Sequence, residues 1–220
     1  MAKGAERNPV KLYGGIAKFN LRHNFIMYFA AAVAVLVLTV LLFNITDLDG
    51  RAAAQPIEFM LSWTGVVLLV PVFWPEQDKN LRDVIRSKWA DYLTVCLVRV
   101  LYSTAALAVL NAAFVGLMGL RESQVTWRHV VCAFATALFL GAAGFAAAGI
   151  CDNTVAGYMV ALMYYLVNYG LKDKLGPFYL FSMYTNGGIR EKWWQLAGGA
   201  VLIAITFLFR STIHKSKNML

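Results

Sequence analysis

The residues best placed to do chemistry lie between Trp74 and Trp89, the densest run of charged side chains in the sequence, flanked on both sides by apolar segments. Pro75 suits the first position of a helix, where its missing N–H costs nothing. Glu76 and Asp78 then fall in the first turn and Arg86 and Lys88 in the last, which complements the helix dipole. Leu81, Val84, Ile85 and Trp89 recur at helical spacing, with Arg82 and Asp83 interleaved. The pattern predicts a short amphipathic helix over 75–89. Its apolar stripe and mixed charges could seat on a protein partner through buried anchors and flanking ion pairs. The plainer alternative is a solvated connector between two spans.

Elsewhere the sequence is sparing. It holds no Gly-x-x-x-x-Gly-Lys-Ser/Thr loop, no His-x-x-x-His, no paired Cys-x-x-Cys and no nucleophile elbow. The expectation is a chain with no catalytic residues, no metal site and no nucleotide engine of its own. Cys96, Cys132 and Cys151 lack metal or pairing spacing and read as buried apolar thiols. His23, His129 and His214 fall near the edges of apolar segments, where solvated or interfacial roles are expected. Glu58, Asp91 and Asp152 stand at segment ends, so no acid is expected at depth. An ion-coupled carrier keeps an ionisable group there, and its absence lowers that reading. The polar groups expected at depth include Asn111, Thr136, Tyr164, Tyr165 and Asn168. Tyr164 and Asn168 share a helical face, and Asn111, Tyr164, Tyr165 and Asn168 form a candidate pathway for an amphipathic substrate. Ordinary helix packing would account for the same residues.

The elements that position these groups follow from composition. Of 220 residues, 60% are hydrophobic and 15% charged, far from a soluble domain. Several apolar runs approach or exceed the ~20 residues a bilayer requires. The fold class expected is all-α, a polytopic membrane protein of six spans: 24–43, 56–73, 92–120, 130–150, 155–171 and 193–209. An interfacial helix is expected over 9–23, weakened at Gly14-Gly15. Pro71 should kink or end the second span. Arg99 lies inside the third and should snorkel or find a partner such as Asp91 or Glu76. The fourth carries a small-residue surface from Gly141 to Gly149, read as tight packing within one subunit. Asp152 or Thr154 should cap the fifth. Residues 174–188 hold too many aromatics for a water-filled loop and predict a re-entrant element at the outer interface.

The net charge of +8 is spread along the edges of apolar segments. It reads as a topology signal toward lipid and not as a nucleic-acid surface. With the N-terminus inside, the inner segments hold twelve Lys and Arg and the outer ones seven, a count that includes Lys192. Both termini are therefore expected to be cytoplasmic.

The stretch Pro71–Lys88 is similar to the segment that Gram-positive members of the type-2 ABC exporter permease family carry at this point. The order of parts across nearly the whole chain also resembles that family. The resemblance implies a permease in the cell membrane without its own ATPase and with no cofactor in this chain. ATP and Mg would be bound by a separate ABC ATP-binding subunit. A second permease subunit, identical or a sister, would complete the complex. Residues 75–89 would be the coupling helix, with Glu76, Asp78, Leu81, Arg82, Asp83, Val84, Ile85, Arg86 and Trp89 at the ATPase interface. The expected function is export of a peptide, drug or lipid-like substrate. The alternatives are an ion-coupled secondary transporter and a non-transporting immunity or scaffold protein.

Overall fold

The computed structural model describes residues 25–77, 92–186 and 188–217. Among these the secondary structure is entirely helical. Helix α1 is Ile26–Leu42, and α2 is Ala54–Phe73, followed by one further turn, Trp74–Gln77. Helix α3 is Tyr92–Leu120, α4 Trp127–Cys151 and α5 Thr154–Leu171. A 3-10 helix, Lys172–Phe178, and a short helix α6, Ser182–Asn186, lead into α7, Arg190–Lys217.

Four helical segments are long and apolar enough to cross a membrane: Ala54–Phe73, Thr94–Leu120, Trp127–Cys151 and Arg190–Thr212. Helices stand at all six places where spans are expected, but α1 is shorter, with 17 residues. Helix α5 interrupts its apolar residues with Tyr164, Tyr165, Asn168 and Tyr169. The exposed faces of α1, α5 and α7 remain apolar, with Met27, Leu41, Met163, Ile205 and Leu208 open, as expected where lipid is the solvent.

Helix α4 is the axis of the bundle and packs against α2, α3, α5 and α7. Its small residues make this possible. A Cβ on Gly141 would lie 2.5 Å from the Gly65 carbonyl oxygen, and one on Gly65 would collide with the Ala137 carbonyl. Gly157 of α5 approaches the Gly144 carbonyl as closely as 2.6 Å by the same construction. Backbones in lipid gain close dispersion contact from such pairs. The small-residue surface therefore packs inside one chain, as its composition suggests.

Helix α2 is not uniform. After Pro56 it opens into a π-helical turn, Ile57–Leu61, and it tightens to 3-10 geometry over Val70–Phe73 around Pro71. Proline lacks the N–H that regular α geometry needs, so the expected disturbance at Pro71 is present. At the next turn the capping residue differs from expectation. Asn153 Oδ1 accepts the Val155 N–H at 2.8 Å, so Asn153 caps α5. Asp152 instead takes the left-handed conformation that ends α4 (φ 49°, ψ 36°).

Candidate functional site

The bundle has two ends. One gathers residues 43–53, 121–126 and 172–186, and we call it the capped end; the other holds the 152–153 turn. At the capped end the 43–53 and 121–126 segments are laced together. Gln124 N–H donates to Leu48 O at 2.8 Å, Asp47 N–H to Arg121 O at 3.0 Å and Ser123 Oγ to Ile45 O at 2.7 Å. His129 is buried here. It closes a capping box with Thr126 and meets the Gly50 carbonyl at 2.8 Å through Nε2. It stands at the edge of an apolar helix, as expected, but two backbone partners take the place of water.

Residues 179–183 pass beneath this surface and are buried. Their apolar side chains fill the bundle: Phe181 stacks on Phe59 at 4.3 Å and meets Tyr165 edge-on at 5.4 Å. Their backbone groups are met by side chains of three helices, α2, α5 and α7. Asn168 Oδ1 of α5 accepts the Leu180 N–H at 2.8 Å, and Gln195 Nε2 of α7 donates to Tyr179 O at 2.6 Å. Just ahead of the segment Tyr164 OH donates to Phe178 O at 2.7 Å, and alongside it Tyr165 OH ties α5 to α2 by donating to Phe59 O at 3.0 Å. A buried turn must satisfy its peptide groups somewhere, and here the helices supply the partners.

At the centre lies an ion pair. Glu58 Oε1 and Lys192 Nζ are 2.5 Å apart, and both side chains have 0% exposure. The carboxylate also accepts the N–H groups of Met183 (3.0 Å) and Tyr184 (2.8 Å), and the Cys132 thiol at 3.4 Å. The ammonium donates to Leu180 O at 2.6 Å and to Thr136 Oγ1 at 3.0 Å. With Glu58 these take its three protons. The two charges cancel, and each is saturated by hydrogen bonds, as burial of an ion pair demands. In this conformation the cluster's bonds hold the cap against α2, α4 and α7.

One expectation is corrected here and one is refined. The last helix begins at Arg190, ahead of the expected 193, so Lys192 is a core residue and not an outer-loop cation. Glu58 stands near the start of its span, as expected, but it is fully buried, because the π turn after Pro56 carries it into contact with the cap and α7. Neither was legible from local composition. The signals present were Lys192 and Gln195 at i, i+3 and one acid just after a proline in an apolar run.

Of the candidate pathway residues, Tyr164, Tyr165 and Asn168 gather beneath the cap, whereas Asn111 stands apart. It receives a hydrogen bond from Thr64 Oγ1 (3.2 Å) and donates to Ala133 O (3.3 Å), joining α2, α3 and α4. The expected amphipathic helix lies largely outside the described residues, as do Asp78, Leu81, Arg82, Asp83, Val84, Ile85, Arg86 and Trp89. Of Glu76 the backbone alone is described, within Trp74–Gln77. The interfacial helix at 9–23 also lies outside.

Toward the other end, Arg99 is 5% exposed and donates to Val72 O at 3.2 Å, so it turns inward and does not snorkel. It borders a narrow cleft with Tyr28, Pro71, Tyr102 and Ser103. Cys96 and Cys132 are buried as expected, but Cys151 is exposed at the end of α4. Among the described residues no cluster of three or more His, Cys, Asp or Glu could hold a metal.

No family model, curated protein or solved structure matches this chain. Fold and site together define a helical bundle with four helices able to span a membrane, capped at one end by a segment tied to a buried ion pair.

Proposed function

We propose that the chain is the membrane subunit of an ATP-driven exporter, with six spans in the cell membrane and both termini cytoplasmic. A separate ABC ATP-binding subunit would supply ATP and Mg chemistry, and a second permease would complete the pathway. The observation that carries this reading is the close-packed interior. The contacts of Gly65 with Ala137 and Gly141, and of Gly144 with Gly157, bring α2 and α5 into backbone contact with the central helix α4. A transported molecule would therefore pass between subunits, which is what a two-permease complex provides. The order of parts adds support. Helix α2 changes geometry at Pro71 and leads toward the charged 75–89 segment, and a buried short element precedes the last helix.

The test is affinity purification from native membranes in mild detergent. A stoichiometric ATP-binding subunit should be retained. Reversing the charges of Asp83 and Arg86 together should lower its substrate-stimulated ATP hydrolysis while the bundle stays folded. Retention of no ATPase would overturn the reading.

The Glu58–Lys192 pair favours one alternative, an ion-coupled carrier, since ionisable groups inside a span often serve ion pathways. Transport by the chain alone in proteoliposomes, driven by an ion gradient without ATP, would decide for it.

A further inference from the structure

We infer that residues 177–186 are a lid, and that the buried Glu58–Lys192 pair is the charge latch that holds it shut. The inference stands apart from the exporter reading and needs no ATPase partner.

The lid lies between two breaks. Gly176 has φ 57° and ψ −130°, a backbone state that a side chain would strain, and Gly188 precedes α7. Between them, α6 is held at both ends by opposite charges from one short stretch of chain. The Glu58 carboxylate accepts the N–H groups of Met183 and Tyr184 in its first turn. The Arg51 guanidinium receives the other end, donating to Tyr184 O (3.1 Å) and Thr185 O. Each charge sits where the helix dipole favours it. Lys192 adds the bond to Leu180 O and neutralises Glu58.

Neutral ties such as Asn168 and Gln195 cost less to break than a buried charge does. The ion pair differs. If one partner is removed, the other is an uncompensated charge in an apolar core, and the relief is to admit water. The bundle can do this only where residues 179–183 cover the pair. Breaking the pair therefore opens the lid and spares the glycine-packed middle.

Cys132 reports the opening, because its thiol lies 3.4 Å from Glu58 Oε1 and is fully buried. In full-length protein with Cys96→Ala and Cys151→Ser, it should react slowly with a bulky hydrophilic maleimide in detergent. Lys192→Met should raise the labelling rate at least about tenfold. Glu58→Met/Lys192→Met, which leaves neither charge, should bring it back toward the parent rate. A rate unchanged in a folded Lys192→Met protein, or a double variant as open as the single one, overturns the latch. If Lys192→Met does not fold, the isosteric Glu58→Gln takes its place with the same expected and overturning results. Hydrogen exchange on the unmodified protein gives an answer without a variant. The Met183 and Tyr184 amides should exchange together, faster than those of Gly141 and Ala142 at the bundle's middle. Exchange as fast as an open chain, or no faster than Gly141, overturns the proposal.

Discussion

The two ends of the bundle are both tied by charge, but in different surroundings. At the capped end Glu58 and Lys192 are completely enclosed, and their remaining bonds go to the cap's backbone and to Cys132 and Thr136 of α4. At the other end Arg210 Nη2 pairs with Asp152 at 2.6 Å, donates through Nε to Gly149 O and lies 4.3 Å from the Phe73 ring centre. That pair is half in solvent, with side-chain exposures of 13% and 49%. Gln77, with its amide in the orientation that satisfies both groups, accepts the Thr154 N–H at 2.7 Å and ties the end of α2 to α5. Screening by water makes the second pair a fastening of ordinary strength. Enclosure makes the first one severe when broken. The lesson is that similar ion-pair distances give different mechanical roles, and burial decides which.

The sharpest way to break the comparison is to remove what separates the ends. Gly65→Val drives a branched side chain into the Ala137 backbone, so α2 and α4 cannot close. No monodisperse folded protein should elute on size exclusion, and recovery of a normal peak would refute the close approach. Next comes Lys192→Met at the capped end, expected to cost about 3–5 kcal/mol in detergent unfolding because Glu58 is left buried and unpaired. Glu58→Met/Lys192→Met should regain much of that loss, and simple additivity of the two single changes would refute the pairing. At the solvated end, Arg210→Gln should cost about 1 kcal/mol through the lost ion pair and ring contact. That difference should shrink in high salt, whereas the Lys192→Met deficit should not. The smallest effect is expected at Ser182, whose Oγ is buried without a hydrogen-bond partner. Ser182→Ala should be neutral or stabilising, within about 0.5 kcal/mol, since it removes an unsatisfied group. A loss above about 1 kcal/mol would refute an unsatisfied hydroxyl.

Much of the bundle was legible because lipid-facing helices obey simple rules. Apolar runs predicted helices at the six places where they occur, Pro71 marked the change of geometry in α2, and the small residues from Gly141 to Gly149 announced close packing. Boundaries were less legible. The last helix starts three residues early because Lys192 has partners that make its burial tolerable, and those partners come from α2, α4 and the cap. No local pattern displays them. His129, expected in a solvated or interfacial role, and Arg99, expected to snorkel or find a partner, show the same limit: each binds a backbone carbonyl that a distant part of the chain supplies.

By itself, the sequence determined that this is an all-helical chain with membrane-length apolar segments and an aromatic, partly buried element before the last helix. Those features are local, since periodicity and hydropathy act within a few turns. The tertiary structure alone decided that Glu58 meets Lys192 across 134 residues of chain, and that the pair holds the cap by its backbone. A buried charge is tolerated only where its partners converge in space, and convergence is a property of the packed fold.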